Sequence, residues 1–250
     1  MALSEYDLGV VIVSKVQDHS TIEHRHRNVH GGLARAAIFG VSDGLTTNIS
    51  LVLGVAAANT GPGFVRLAGL AGLLAGSFSM AAGEYVSMRA QAELFARELR
   101  VEEEAISADP DTERSELARI YRSRGLRSGL ADEVASQLMR DPGQALESHA
   151  REELGIRQDR LGSPFGAAAS SLASFAVGAA VPLLPWYVAT GTTAVLASVA
   201  LGAVAALSVG VAIGIATGRS RLRSALRQLM ITALAAGIVF LVGRVVGVAA

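Results

Sequence analysis

The sequence predicts an all-α membrane protein with five transmembrane helices and a cytoplasmic helical insert between spans two and three. Three observations lead there. Hydrophobic residues make up 51% of the 250 and mean hydropathy is +0.41, too apolar for an ordinary soluble domain. Apolar stretches long enough to cross a hydrocarbon core of about 30 Å recur along the chain. Charge is also partitioned: the formal net charge is zero, yet residues 91–160 hold 16 of the 22 acids and 11 of the 22 basic residues, and no acid follows Asp159.

Residues 1–32 are polar and are read as a cytoplasmic tail. Its opening, MALSEYDLGV, lacks the basic and apolar regions of a cleavable signal peptide. His24, His26 and His30 are read as part of a basic juxtamembrane segment on anionic lipid, with metal collection as the alternative. Residues 33–90 hold the first two spans, about 34–58 and about 64–88, joined by the NTGPG turn. Span two is rich in Gly, Ala and Ser, which let helices approach closely in a bilayer, so it is expected to pack against protein. Its periodicity continues past Arg89 without Pro or Gly, predicting one long helix that leaves the membrane and ends near Asp109-Pro110.

Residues 91–160 form the insert, with further helices over DTERSELARIYRSR, about 128–139 and about 144–154. Gly125, Asp141-Pro142 and Gly155 mark the breaks. Residues 161–250 supply spans three to five, about 165–187, 192–217 and 226–248. Pro182 and Pro185 should kink or end span three, with Trp186 and Tyr187 at the membrane interface. Gly210, Gly214 and Gly218 make a four-residue small-residue face on span four.

Arginines set the orientation. Arg25, Arg27 and Arg35 precede span one, the insert follows span two, and Arg219, Arg221, Arg223 and Arg227 join spans four and five, whereas NTGPGFV and WYVATGTT have no basic residue. The positive-inside rule then places the N-terminus inside and the C-terminus outside. Arginine, alanine and glycine usage suggests a bacterial plasma membrane.

Asp43 lies inside span one, where an acid costs several kcal/mol, roughly 2.5–3.5 on insertion scales, and defaults to a functional role. Counting from the cytoplasmic ends puts it roughly 13 Å deep and Met80 of span two roughly 12 Å deep, with Glu84 one turn from Met80 on the same face. Two carboxylates and a thioether suit a first-row divalent ion such as Fe²⁺, Mn²⁺ or Co²⁺, and Thr46, Thr47 and Asn48 offer further oxygens. The competing readings are packing for Met80, an internal hydrogen bond for Asp43, and snorkelling or an Arg89 pair for Glu84. In the insert, Glu98 and Glu102, Glu113 and Glu116, and His149, Glu152 and Glu153 stand within a turn of one another. Helices so decorated can gather a multi-carboxylate metal site; the alternative is a solvated surface paired with the interleaved arginines. With no cysteine, thiolate zinc sites, iron–sulfur clusters and disulfides are excluded.

The segments RAAIFGVSDGLTTNISLVLGV and GSFSMAAGEYVSMRAQAE, with the insert reading EEE…ERSELARIYRSRGL…DPGQALESHAREELG, resemble the vacuolar iron transporter family over nearly the whole chain from about His24. The resemblance implies a homodimer with five spans per subunit, a path at the dimer interface, and export of Fe²⁺ from the cytoplasm in exchange for protons. It implies that Asp43, Met80 and Glu84 line the path and that Glu102, Glu113, Glu116 and Glu153 are ligands of a cytoplasmic metal-binding domain. His149 joins them here, since this chain reads Ser148-His149-Ala150 where a methionine is expected, and Ala105 replaces an acid.

The expected function is therefore divalent transition-metal transport, with Fe²⁺ or another such ion as cargo, protons as counter-ions, the bilayer as partner, no tightly bound cofactor, no nucleic acid and no enzymatic activity. Two other classes compete. A ferroxidase-like domain usually wants Glu-x-x-His pairs on two helices, and the insert has one histidine. A membrane-anchored metal sensor would need no ligands at matched depth inside the bilayer.

Overall fold

The computed structural model describes residues 32–59, 61–155 and 162–249, so the tail with His24, His26 and His30 lies outside the described residues. These residues form helices and connections with no strand. The order is α1 (Gly32–Ala57), α2 (Pro62–Ala108), α3 (Pro110–Ser123), α4 (Ser128–Leu138), α5 (Pro142–Glu152), α6 (Pro164–Leu183), α7 (Pro185–Val188), α8 (Gly191–Thr217) and α9 (Arg221–Ala249). Five of them, α1, α2, α6, α8 and α9, are long and apolar enough to cross a membrane.

The centre of the bundle is the crossing of α1 and α6. A Cβ on Gly44 would stand 2.2 Å from the Phe175 carbonyl oxygen, and one on Gly178 would stand 2.2 Å from that of Val41. Only hydrogen fits at either place, so the two backbones touch. The close approach lets the buried Asn48 amide donate to the Ala179 carbonyl at 2.6 Å. On another side of α1, Gln228 of α9 donates to Ser42 at 2.8 Å, and the Thr46 and Thr232 hydroxyls share a 2.9 Å bond. Buried hydroxyls and amides join helices in lipid, where association lacks the hydrophobic drive available in water.

Helix α2 runs unbroken for 47 residues, about 70 Å at 1.5 Å per residue and more than twice the hydrocarbon thickness. Its apolar half packs on α1 and α6 along a narrow stripe that includes Gly69, Gly76 and Ser77. Phe64, Leu67, Leu74 and Phe78 stay exposed on the single chain, so the expected protein packing is met on one face only. The charged half projects beyond the span. It ends at Asp109, whose backbone N–H closes α2 on Ala105 while its carboxylate accepts from the Thr112 N–H and hydroxyl to start α3. Those hydrogen bonds, the hydroxyl's foremost, hold the Asp109 carboxyl below its ordinary value of 3.8.

Helices α3 and α4 pair around Leu117, Ala118 and Ala135, and α5, capped by Asp141 on the Gln144 N–H, returns to lie against α2. Gly125, at φ +99°, turns the chain after α3 in a conformation that favours glycine.

Two sequence expectations are corrected. Trp186 is buried among Val52, Val65, Leu183 and Ala194 instead of facing out of the bundle, because α7 packs against α8 and α2; Tyr187 is exposed. Gly218 is not a packing residue: at φ +68° it caps α8, donating its N–H to Gly214, while Gly210 and Gly214 do receive α9 at Ala225 and Arg221.

The crossing can be tested against an open site. Gly44→Ala should destabilise the protein in detergent by roughly 1–3 kcal/mol through overpacking. Gly237→Ala, where a Cβ meets nothing within 4 Å, should be neutral or stabilising by up to about 1 kcal/mol. Thermal unfolding monitored by size exclusion distinguishes the two.

Candidate metal-binding sites

Four of the predicted insert residues converge on one ring nitrogen. Glu102 comes from the projecting half of α2, Glu113 from the first turn of α3, His149 from α5 and Glu153 from the residue that caps α5. His149 is fully buried, and its Nδ1 lies 2.9 Å from Glu102 Oε1, 3.6 Å from Glu153 Oε2 and 3.7 Å from Glu113 Oε2. One donor atom each from Glu102, Glu113 and His149 lie within 4.8 Å of one another.

The short contact does not have the direction of a hydrogen bond. Among the described residues, Glu102 Oε1 and both ring nitrogens are buried without a hydrogen-bond partner. Such groups normally find one, since a lone buried polar atom costs about 1–3 kcal/mol. Neutral imidazole and carboxylate lone pairs aimed at a common point are what a divalent cation requires.

The arginines sharpen this contrast. Glu93, Glu98, Asp111, Glu147 and Glu152 each pair with an arginine, as the solvated-surface reading expects. Glu116 does too, engaging Arg119, and so stands beside the cluster instead of in it. Among the described residues, the ion pairs of Glu102, Glu113 and Glu153 all run to His149. Burial pushes the Glu102 carboxyl above its ordinary 4.5; His149 opposes the rise, and Glu153, Glu113 and Glu116 add to it. Glu113 is raised for the same leading reason, again opposed by His149. Among the described residues no arginine balances the negative charge of these three carboxylates.

The intramembrane residues form a looser group. Asp43 is exposed on the outward face of α1, with the Thr47 hydroxyl donating to it at 3.4 Å. Thr46 and Asn48 point instead to α9 and α6, so only Thr47 of the three expected oxygens shares the Asp43 face. Contacts of Gly69 with Val52, Gly72 with Asn48, and Arg35 with Glu84 fix the α1–α2 register. On that register Asp43 is level with Gly76 and Ser77 of α2, so Met80, about one turn nearer Glu84, does not share the depth of Asp43 that counting from the span ends predicts. Met80 is partly buried. Glu84 does not pair with Arg89, which bonds Glu93; it accepts from Arg35 at 2.5 Å across the helix pair. The sequence reading used Arg35 only to orient span one, and its partner emerges only from the register.

These features define a polytopic α-helical membrane protein with a carboxylate- and imidazole-bearing helical insert. A model of the VIT family matches residues 34–244. The chain is 34% identical over 248 residues to vacuolar iron transporter 1 of Arabidopsis thaliana, covering 98% of this chain and 99% of that one. It is 35% identical over 202 residues to vacuolar iron transporter 1 of Oryza sativa subsp. japonica, covering 80% of each, and 32% identical over 228 residues to that of Eucalyptus grandis, covering 90% and 92%. The chain belongs to the VIT family.

The raised carboxyls give a pH dependence with a definite sign. Between 4.5 and its raised value each acid binds more protons folded than unfolded, so the metal-free fold loses stability as pH rises through that interval. Cation affinity should run the other way and weaken as pH falls through it, since protons compete for the same oxygens. Glu102→Gln should stabilise the metal-free protein at neutral pH while weakening Mn²⁺ binding at the cluster at least tenfold; thermal midpoints with and without Mn²⁺ read both effects.

Proposed function

We infer that the protein exports a divalent transition-metal ion, Fe²⁺ foremost and Mn²⁺ also within reach of its ligands, from the cytoplasm in exchange for protons, as a homodimer. The observation that carries the reading is the fully buried His149, facing three carboxylates, with both ring nitrogens unpartnered and no arginine paired to those carboxylates among the described residues. Nitrogen and carboxylate ligands suit Fe²⁺, Mn²⁺ and Co²⁺ better than Mg²⁺ or Ca²⁺, which favour all-oxygen shells. The relatives' names, vacuolar iron transporter, agree with iron as cargo. The arginine pattern supports a cytoplasmic insert, an inside N-terminus and an outside C-terminus. A bacterial plasma membrane rests on composition alone.

In this reading residues 91–160 capture the ion through Glu102, Glu113, His149 and Glu153, with Glu116 one turn away as an auxiliary oxygen. The ion then engages Glu84, Met80 and Asp43 in turn. Asp43 and Thr47 are open on the single chain, as is much of α2, and a second subunit placed there would bring two sets of ligands together. Protons arriving from the far side neutralise the carboxylates and weaken their hold on the ion, so exchange follows from competition for the same oxygens.

The test is flux into proteoliposomes, with competing divalent ions outside and a pH dye inside. Fe²⁺ movement accompanied by opposite proton movement is expected, and Asp43→Asn and Met80→Ala should each slow it at least tenfold. Parent rates in both variants would remove the path assignment, and metal-dependent folding without flux would make the protein a sensor.

A further inference from the structure

The bond between Arg35 and Glu84 places a cation on a carboxylate that the transport reading assigns to the ion path. Arg35 is near the start of α1 and Glu84 is in the middle of α2, so their meeting is a product of the fold and not of local helix spacing. The two side chains differ in exposure: that of Glu84 is 16% exposed, that of Arg35 55%. The carboxylate is largely enclosed, whereas the guanidinium sits on a long stem and is more than half exposed on the single chain. Arg89, the basic residue nearest Glu84 along the helix, is occupied by Glu93. Arg35 is therefore the cation that Glu84 meets before any metal arrives.

We propose that Arg35 is a tethered counter-cation that occupies Glu84 until a divalent ion displaces it, setting the charge an ion must carry to enter the path. This rests on the assignment of Glu84 to that path. One oxygen cannot accept a guanidinium N–H and ligate a metal at full strength together, because the two cations repel at that distance. A doubly charged ion doubles the Coulomb attraction to the carboxylate and can evict the guanidinium; a monovalent ion gains no such advantage. The long stem gives Arg35 somewhere to go, since an arginine near the start of α1 can snorkel toward the cytoplasmic surface when released and need not leave a buried charge. When the ion moves on, Arg35 returns and an empty Glu84 is not left as an open carboxylate. Asp43, whose described partner is the neutral Thr47 hydroxyl, has no such occupant and differs from Glu84 in this respect.

The test is initial-rate Mn²⁺ flux by the full-length protein in liposomes, titrated with Mn²⁺ with and without excess Na⁺. Arg35→Gln should lower the apparent KM for Mn²⁺ by roughly three- to tenfold, the scale of losing one partly exposed charge competitor, and should make flux newly sensitive to Na⁺. Arg35→Lys, which keeps the charge but not the planar fork, should fall between parent and Gln. In a Glu84→Gln background the Arg35 substitution should do nothing further, because the competition has been removed. An unchanged or raised KM in Arg35→Gln, with Glu84→Gln impaired, overturns the counter-cation and leaves the path intact. Parent flux in Glu84→Gln overturns both.

Discussion

The contact on which the bundle depends is the one between two backbones, where α1 and α6 meet at Gly44 and Gly178 with no side chain between them. A crossing that close fixes the rotation of α1 about its own axis as well as its distance. Asn48 is held toward Ala179 and Thr46 toward Thr232, so Asp43 and Thr47 must face outward. A bulkier residue at Gly44 would therefore loosen the packing and also turn Asp43 away from its present face.

Much of this was legible in the sequence, because the features that end helices act locally. Asp109-Pro110 and Asp141-Pro142 stop one helix and cap the next, and the unbroken run from Pro62 to Ala108 follows from the absence of Pro and Gly after Arg89. What stayed hidden depends on how elements meet. Spacing put Glu113 and Glu116 on equal terms, yet Arg119 takes Glu116 while α5 brings His149 to Glu113. Trp186 reads as interfacial because an aromatic at the end of a span suits that position, and its burial depends on α7 packing against α8 and α2. Arg35 counted toward orientation, but its bond to Glu84 needs the α1–α2 register, which composition does not contain.

The insert shows how one acidic surface can hold two kinds of carboxylate. Six of its described acids pair with arginines, and exposed pairs of that kind contribute little, about 0–1 kcal/mol each. Around His149 no described arginine supplies that neutralisation, and burial raises the cost of the charge that remains. On the proposed reading, free energy kept unfavourable without a cation would become binding free energy when one arrives, so the cluster would draw on the fold for part of its affinity.

The length of α2 also fixes a stand-off. Glu84 and Glu102 lie on one continuous helix about five turns apart, and so on nearly the same side of it, but separated by roughly 27 Å. No ligand exchange bridges that gap, and it exceeds the screening length of about 8 Å at physiological salt, so the cluster exerts little direct pull at Glu84. An ion leaving His149 would cross free water before meeting the bilayer residues. If the insert captures the ion as proposed, that distance would make it a reservoir whose filling sets the local supply, with the pace of crossing decided separately at the membrane.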